Sequence, residues 1–323
     1  MNKPKVFITR KWPKSVEAKL KERYQVTLNE DDRPLSAEEF KSALQQYDAV
    51  CPTVCDSFPA EVINITNKRC KILANFGVGY NHIDVTAAKQ QGLAITNTPG
   101  VLTHSTADIA MTLLLMSARR GAEGDRLVRS KQWQGWCPTH MLSSNVTGAT
   151  LGLIGFGRIA QAMARKAHHG FDMNIIYFNP SPANEYVVDD LQATRCANLE
   201  ELLQKSDFVS LHCPGNAETK HLINSDTLKL MKPSAHLINT ARGDVVDTQA
   251  LIAALKKQQI AGAGLDVYEG EPTVPDELLT LDNVSLLPHL GSATLSTRTA
   301  MGEKALANLD AFFAGEALPD QVI

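Results

Sequence analysis

The sequence predicts an α/β protein of two domains, each built on a doubly wound parallel sheet. At 323 residues the chain is longer than one hydrophobic core usually serves, so about two domains are expected. Short apolar runs alternate with helix-like polar segments, which is typical of parallel βα units. A glycine-rich turn at Gly155 and Gly157 follows one of these runs and opens a second βα series.

The first series predicts four strands, at 5–9, 48–51, 71–76 and 93–96. The polar stretch 14–23 between the first two is predicted to be a helix. After Thr98-Pro-Gly100 a long helical pattern begins, which runs from about 106 to 131. We expect residues 1–100 to form a flavodoxin-like domain.

The second series predicts six strands, at 150–154, 174–178, 208–211, 236–239, 262–266 and 284–287. Six strands with helices between them, the first helix at 158–168, form the Rossmann-like doubly wound pattern. A last helix, at 296–314, is expected to cross back and pack on the first domain. Residues 293–323 would then complete the first domain, and 101–292 would be inserted within it.

Composition argues against several classes of function. Hydrophobic residues at 44%, charged residues at 21% and a net charge of −3 are ordinary for a globular enzyme and predict no nucleic-acid partner. The six cysteines form no Cys-x-x-Cys pair and no zinc-like spacing, so we expect no metal site and reduced thiols in a cytoplasmic protein. The longest apolar stretch, 109–118, is too short to span a membrane and predicts a buried or subunit-interface helix.

The glycine-rich turn, Gly152-Leu-Ile-Gly155-Phe-Gly157-Arg-Ile-Ala160, predicts a dinucleotide-binding loop. Gly155 permits the tight turn, and Gly157 lets the backbone approach a pyrophosphate. The helix that follows directs its N-terminus at the anion. A plain strand–turn–helix is the alternative.

The end of the next strand bears on the choice of cofactor. An acidic residue usually holds the ribose 2′-hydroxyl of NAD there, but this chain has Asn179. Loss of that charge removes the discrimination against a 2′-phosphate, which favours NADP(H) and leaves NAD(H) possible. Arg158 and Ser181 are the nearest candidates for a phosphate contact.

Three separated polar residues predict an oxidoreductase site. Arg242 follows a strand end, where open α/β sheets bind ligands, and an arginine can hold a carboxylate by two parallel hydrogen bonds. A histidine held by a glutamate can move a proton near neutral pH, and His289 and Glu271 are the candidates. Together they predict reduction of a 2-oxo acid. Alone, each has an ordinary structural explanation.

Three further segments are candidate contacts. Asp266 ends a predicted strand and either touches the nicotinamide or ribose, or caps a turn. The glycines of Asn75-Phe-Gly77-Val-Gly79 leave backbone N–H groups open to a substrate carboxylate, or form a plain turn. The loop Trp133-Gln-Gly-Trp136-Cys-Pro138 walls a substrate pocket, joins a dimer interface or packs in the core. Candidates for the pocket walls are Leu102, Trp136 and Met141.

Together these motifs resemble the D-isomer-specific 2-hydroxyacid dehydrogenases over nearly the whole chain, and their glyoxylate/hydroxypyruvate reductase branch in particular. The matching segments, in the family's order, are Asn75–Gly79, Thr96–Gly100, Gly152–Ala160, Thr240–Gly243, Gly264–Val267, Glu269–Pro272 and Pro288–Ser292. The resemblance implies NAD(P)H-dependent reduction of a small 2-oxo acid, with glyoxylate or hydroxypyruvate favoured. It implies Arg242 for substrate binding, Glu271 as the histidine's partner and His289 as the acid/base.

The resemblance also implies binding residues and an assembly. The amides of Val78 and Gly79 would meet the substrate carboxylate. Trp136 stands where the branch places a tryptophan that reaches into the other subunit of a homodimer. The cofactor would be lined by Arg158, Ile159, Asn179, Thr240, Asp266 and Gly291. The candidate cofactor-binding residues are completed by Thr106, Cys213, Pro214 and Ala241.

Other functions stay open at this stage. Formate dehydrogenases pair the histidine with glutamine, so Glu271 argues against them, and phosphite dehydrogenases have a lysine at the position of Val78. A phosphoglycerate dehydrogenase, or an enzyme for a bulkier 2-oxo acid, remains an alternative. So does a nucleotide-sensing binding protein, similar to the C-terminal-binding-protein corepressors.

Overall fold

The computed structural model describes residues 3–323, and the chain divides into two α/β units. One unit extends to Leu102 and is completed by Ala293–Ile323, and the other is Thr103–Ser292. All strand pairs within both sheets are parallel, which confirms the predicted fold class.

The first unit has a five-stranded sheet in the order β2-β1-β3-β4-β5. Its strands are β1 Lys5–Ile8, β2 Gln25–Leu28, β3 Ala49–Cys51, β4 Ile72–Ala74 and β5 Ala94–Thr96. Its helices before Leu102 are α1 Lys14–Arg23, α2 Ala37–Gln46, α3 Ala60–Ile63 and α4 Val85–Gln90. The prediction of four strands was wrong by one. β2 lies at the sheet edge without a fully buried residue, so it leaves no apolar run in the sequence.

The second unit has a seven-stranded sheet in the order β12-β11-β10-β9-β6-β7-β8. Its strands are β6 Thr150–Ile154, β7 Asn174–Phe178, β8 Thr194–Arg195, β9 Phe208–Leu211, β10 His236–Asn239, β11 Gly262–Leu265 and β12 Val284–Leu286. Six of these strands were predicted. The seventh, β8, is a two-residue edge strand with both residues exposed, so the sequence has no apolar pattern that would predict it.

Helices cover this second sheet. They are α5 Thr103–Ala118, α6 Gly121–Arg129, α7 Arg158–Phe171, α8 Glu185–Asp190, α9 Leu199–Lys205, α10 Ser225–Leu228, α11 Thr248–Lys256 and α12 Asp276–Leu279. The single helix predicted from 106 to 131 is two helices, because Arg120 adopts a left-handed backbone with φ of 54° and ends the helical path. Among residues 3–323, no helix combines the length and apolar character that crossing a membrane needs.

The strand order of the second sheet reverses between β6 and β9. In open α/β sheets ligands bind outside the carboxyl ends of the strands at such a switch point. The loops after β6 and β9, which begin at Gly155 and His212, therefore occupy the position where a ligand is expected.

The last helix, α13 Leu295–Ala314, packs on α1 and β4 of the first unit. Gly302 makes close packing possible, since a Cβ there would lie 2.9 Å from Val16 Cγ1 of α1. Ala305, Leu306 and Leu309 continue this buried face of α13.

His236, the first residue of β10, is a buried histidine whose surroundings disfavour charge. Its ring stacks on Phe208 with centroids 5.2 Å apart, and its two nitrogens lie 2.8 Å and 2.9 Å from the hydroxyls of Ser117 and Ser144. Burial lowers the pKa of His236 to about 4, and burial likewise lowers the pKa of His212 to about 3.

We therefore expect the free energy of unfolding to decrease as pH falls from 6.5 towards 4. Below 6.5 the unfolded histidines bind protons while the folded ones stay neutral, so each costs about 1.4 kcal/mol per pH unit in this window. Denaturant unfolding across the window measures the slope. His236→Gln should reduce it by the share of one histidine, about 1.4 kcal/mol per pH unit, because His212 remains. An unchanged slope in His236→Gln would contradict the assignment.

Candidate active site

The glycine-rich turn between β6 and α7 is held against the loop after β9. Gly155 has φ of 81°, and a Cβ on it would lie 2.8 Å from the Cys213 nitrogen and 2.9 Å from the His212 carbonyl carbon. Only glycine fits both the backbone conformation and this close approach. The sequence-predicted cofactor residue Cys213 thus lies beside the glycine turn.

Gly157 has a different role from Gly155. It is the N-cap of α7 in an extended conformation with φ of −77°, and a Cβ there would meet nothing within 4 Å. No side chain caps the helix, and the amides of Arg158 and Ile159 have no acceptor among residues 3–323. An open approach to unpaired amides at a helix N-terminus suits a phosphate, so the turn fits the predicted dinucleotide.

A second observation also fits a polar ligand at this edge. Thr240, just past β10, is 9% exposed, and its Oγ1 has no hydrogen-bond partner in the described part of the chain. A buried hydroxyl without a partner is costly unless a ligand or water satisfies it. Thr240 was predicted to line the cofactor, together with its neighbour Ala241.

Asn179 ties the end of β7 to the glycine turn. Its Oδ1 accepts a hydrogen bond from the Phe156 N–H at 3.2 Å, and its Nδ2 donates to the Ser181 carbonyl at 2.9 Å. The same loop accepts two hydrogen bonds from Arg195, which the sequence alone does not single out. The end of β7 therefore contains an amide in place of a carboxylate, with a guanidinium beside it.

The turn after β10 positions Arg242. The Asn239 side chain accepts from the Ala241 N–H at 3.0 Å and donates to the Arg242 carbonyl at 2.8 Å, which closes the turn. A Cβ on Gly215 would lie 3.0 Å from Arg242 Cγ, so glycine there leaves room for the arginine side chain. Arg242 Nη1 donates to the Ala241 carbonyl at 2.7 Å.

The loops that carry Arg242 and Glu271 are in direct backbone contact. A Cβ on Gly243 would lie 1.9 Å from the carbonyl carbon of Tyr268 and 2.3 Å from the Glu269 nitrogen. No other residue permits this approach without a backbone shift. Gly243 therefore brings the segment 268–271 against the arginine turn.

Glu271 and His289 form the predicted pair. Glu271 Oε2 lies 2.8 Å from His289 Nδ1, and Oε1 accepts the Tyr268 N–H at 2.9 Å. The Tyr268 hydroxyl in turn donates to the Leu287 carbonyl at 2.8 Å, two residues before His289. With Nδ1 directed at the carboxylate, Nε2 is the ring nitrogen left for a substrate.

Asp266 holds the turn that carries His289. Its two carboxylate oxygens accept from the amides of Leu290 and Gly291 at 2.6 Å and 2.8 Å, and its own carbonyl accepts from the His289 N–H at 3.0 Å. Thr106 Oγ1 completes the group by donating to the Gly291 carbonyl at 3.1 Å. His289 has φ of 54°, an uncommon value for a non-glycine residue, so this capping supports a strained backbone.

The electrostatics favour a charged glutamate beside a poorly hydrated arginine. Burial acts to raise the pKa of Glu271, but the hydrogen bond and charge of His289, the Tyr268 N–H and the charge of Arg242 outweigh it, so the pKa is lowered. Burial lowers the pKa of Arg242, although Glu271 and Asp244 oppose that effect. A guanidinium with little water around it is suited to bind an anion.

Comparison with known proteins supports the same interpretation. The family model described as D-isomer specific 2-hydroxyacid dehydrogenase, NAD binding domain, matches residues 111–291. A glyoxylate reductase from Thermococcus onnurineus is 47% identical over 324 aligned positions, which cover 99% of this chain and 96% of the relative. The chain belongs to the D-isomer-specific 2-hydroxyacid dehydrogenase family. Within it, the chain falls in the glyoxylate reductase branch.

Solved structures of this dehydrogenase family match over nearly the whole chain. A D-isomer specific 2-hydroxyacid dehydrogenase from Polaromonas is 35% identical with a TM-score of 0.92, covering 99% of both chains. An NADPH-dependent glyoxylate/hydroxypyruvate reductase from Sinorhizobium meliloti, solved with NADP and malonate, is 34% identical with a TM-score of 0.87, covering 99% of this chain and 97% of that one.

In the first unit, the predicted carboxylate loop is organised by Asn75. Its Nδ2 donates to the carbonyls of Gly77 and Gly79 at 3.1 Å and 3.0 Å, and its Oδ1 lies 3.0 Å from His82 Nε2. The amides of Val78 and Gly79 have no acceptor among residues 3–323. The loop thus offers two amides, and their role as carboxylate ligands stays a prediction.

The candidate pocket walls and the remaining cofactor candidates are less defined. Leu102 is 9% exposed, Trp136 is 81% exposed, and Met141 Cε would lie 3.7 Å from a Cβ on Gly124. Pro214 follows Cys213, and its carbonyl accepts from Thr219 Oγ1 at 2.6 Å. Among the described residues, no group of three or more His, Cys, Asp or Glu side chains is arranged to hold a metal ion.

Sequence reasoning missed the residues that hold the site in place. Asn239, Tyr268 and Gly243 act through their contacts with Arg242, Glu271 and the backbone between them. Each stands within three residues of a predicted site residue, and Gly243 also ends the matching segment Thr240–Gly243.

Proposed function

We propose that this chain catalyses the NAD(P)H-dependent reduction of a small 2-oxo acid, with glyoxylate or hydroxypyruvate favoured, to the 2-hydroxy acid. The observation that carries the proposal is the His289–Glu271 pair at 2.8 Å, in which Glu271 stands on the loop that packs against the Arg242 turn. The chemistry that a bound reduced nicotinamide supplies is the hydride that adds to the carbonyl carbon. The glyoxylate reductase relatives support the substrate class.

Each of the three residues has a role that follows from its geometry. His289 donates a proton from Nε2 to the carbonyl oxygen, which becomes the hydroxyl of the product. Glu271 accepts from Nδ1–H and stabilises the protonated ring before the transfer. Arg242 binds the carboxylate and polarises the carbonyl. In the reverse direction neutral His289 accepts the hydroxyl proton.

The cofactor would be held by the second unit. Gly155 and Gly157 would let the pyrophosphate approach the N-terminus of α7, where the amides of Arg158 and Ile159 have no acceptor among residues 3–323. Thr240 would donate its unpaired hydroxyl to the dinucleotide. Asn179 leaves no carboxylate to repel a 2′-phosphate, so we favour NADP(H) and keep NAD(H) as the alternative.

Initial rates with glyoxylate, hydroxypyruvate and pyruvate, each run with NADPH and with NADH, test the proposal. Rapid loss of reduced-nicotinamide absorbance with glyoxylate or hydroxypyruvate, at about 1 per second or faster, is the expected result. Rapid turnover of only a bulkier 2-oxo acid or phosphohydroxypyruvate would move the chain to another dehydrogenase of the family. Tight dinucleotide binding with negligible turnover of every substrate would favour the nucleotide sensor.

Gly157→Ala should separate cofactor binding from folding. A methyl group at Gly157 meets no atom of the chain and φ is already negative, so the melting temperature should stay unchanged. The same methyl would obstruct a pyrophosphate, so we expect the dinucleotide Kd to rise about tenfold or more. Gly155→Ala is the matched comparison, because its positive φ and 2.8 Å contact should lower the melting temperature itself. Unchanged binding by Gly157→Ala would argue against this cofactor site.

We also propose that the enzyme is a homodimer. The support is a set of large apolar side chains exposed along the segment that follows α5, at Val128, Trp133, Trp136 and Leu142, with exposed fractions of 54% to 81%. Exposed apolar groups clustered in one segment are typical of a protein–protein interface. Sedimentation equilibrium tests it, and a monomer at micromolar concentration would contradict it.

A further inference from the structure

The end of β7 lacks the carboxylate that selects NADH, and the amide of Asn179 that replaces it is held by hydrogen bonds. Both ends of the Asn179 side chain are engaged, with Oδ1 on the Phe156 N–H and Nδ2 on the Ser181 carbonyl. No carboxylate follows until Glu185, at the start of α8. The loop 179–184 therefore presents no negative side chain at the position where a ribose 2′-substituent is recognised.

Arg195 supplies a positive charge at this loop from a neighbouring strand. In the parallel pair of β7 and β8, Arg195 lies opposite Tyr177, two residues before Asn179. Its Nη2 donates to the carbonyls of Asn179 and Pro180, both at 2.9 Å. The side chain thus extends along the carboxyl edge of the sheet and lies across the start of the loop.

The hydrogen bonds of Arg195 leave most of its guanidinium available. A guanidinium has five N–H donors, and the two on Nη2 are the ones directed at the loop carbonyls. Arg195 is exposed and forms no ion pair within residues 3–323. By contrast, Arg165 on α7 pairs with Asp190 at 3.1 Å. Arg195 is held in place by backbone carbonyls, and its charge is not neutralised by a carboxylate.

We propose that Arg195 binds the 2′-phosphate of NADPH and so determines the cofactor preference of this enzyme. This inference rests on the proposed function. An anchored arginine with donors facing solvent suits a phosphate dianion, because bidentate hydrogen bonds and charge act together. Arg195 comes from β8, the third strand of the Rossmann-like series, sixteen positions after Asn179. Enzymes that use NADPH usually have this cation in the loop that follows the second strand.

Binding measurements on the whole protein test the proposal without relying on turnover. Calorimetric titration with NADPH, NADH, 2′,5′-ADP and 5′-AMP would be compared between the native protein and Arg195→Gln. We expect the Kd for NADPH and for 2′,5′-ADP to rise about 10- to 100-fold, as loss of a charge-assisted hydrogen bond implies. The Kd for NADH and for 5′-AMP should stay within about twofold, because neither has a 2′-phosphate. Arg195→Lys should recover part of the loss.

Matched variants distinguish a specific contact of Arg195 with the 2′-phosphate from a general effect on the loop. Arg165→Gln makes the same change in charge at an arginine that already has an acidic partner, and should leave all four Kd values unchanged. Equal weakening of NADPH and NADH by Arg195→Gln would mean that Arg195 only supports the loop, and would overturn the proposal. No weakening of either would overturn it as well, and Arg158→Gln would then test the other cation.

If the native protein reduces 2-oxo acids but binds NADH better than NADPH, the Arg195 proposal fails while the proposed function stands. Failure to bind any dinucleotide would remove both.

Discussion

His289→Ala should lower kcat for 2-oxo acid reduction about 10²- to 10⁴-fold, the range typical of losing a general acid. The reason is that Nε2 of His289 is the proposed proton donor, and its partner Glu271 is an acceptor with a lowered pKa that stays ionised near neutral pH. The affinity for the dinucleotide should stay within about twofold, because none of the contacts of the glycine turn involves His289.

His221 offers a matched control. It also forms a histidine–glutamate pair, with Glu269 at 2.9 Å on the loop that carries Glu271, and it also has a positive φ. An exposed pair of this kind contributes about 0 to 1 kcal/mol to stability. Because His221 has no part in the proposed proton transfer, His221→Ala should change kcat by less than about fivefold. Single-turnover rates and dinucleotide titrations on both variants would separate chemistry from binding. Near-native kcat in His289→Ala would overturn its assignment as the acid.

Glu271→Gln provides an intermediate case. The single amide oxygen of glutamine can still accept from Nδ1–H, so the orientation of the ring should be kept, although the amide NH2 then replaces the oxygen that accepts from the Tyr268 N–H. What is lost is the negative charge beside the imidazolium. We therefore expect a smaller fall in kcat than in His289→Ala, and an equal fall would mean that charge and proton transfer cannot be separated at this site.

The location of the candidate site could be predicted from sequence because parallel strands end at the same edge. Arg242 follows β10 and His289 follows β12, two strands on either side of β11 in the sheet. Once the apolar runs identify these strands, their following residues are expected near one another. The contact of Glu271 Oε2 with His289 Nδ1 at 2.8 Å is seen only in the structure, because no spacing in the sequence gives it.

The parts that sequence did not predict share a physical cause. The edge strands β2 and β8 are too exposed to leave an apolar run, and the break at Arg120 comes from one backbone angle in an otherwise helical pattern. The contact of Arg195 with the loop at Asn179 depends on the pairing of β8, so it could not be predicted while β8 was missing. Local composition indicates which residues are buried. The edge strands, the break at Arg120 and the Arg195 contact depend instead on strand register and backbone geometry, so composition does not predict them.

Arg242→Ala is expected to lower kcat/KM about 10²- to 10⁴-fold, because two charge-assisted hydrogen bonds to a carboxylate contribute roughly 1.5–3 kcal/mol each. The loss should exceed that of a surface arginine, since burial lowers the pKa of Arg242 and its guanidinium has little competing water. Arg242→Lys keeps the charge but not the planar fork, so it should recover only part of the loss.

The substrate distinguishes a specific role of Arg242 from general damage to the turn. The native enzyme should strongly prefer glyoxylate to its methyl ester, because the ester lacks the anionic carboxylate. If Arg242 binds that carboxylate, Arg242→Ala should lower kcat/KM for glyoxylate far more than for the ester, and the preference should shrink. Arg165→Ala, an exposed arginine paired with Asp190, should leave the preference unchanged. If Arg242→Ala lowers both rates equally, the arginine acts on the carbonyl or on the fold of the turn.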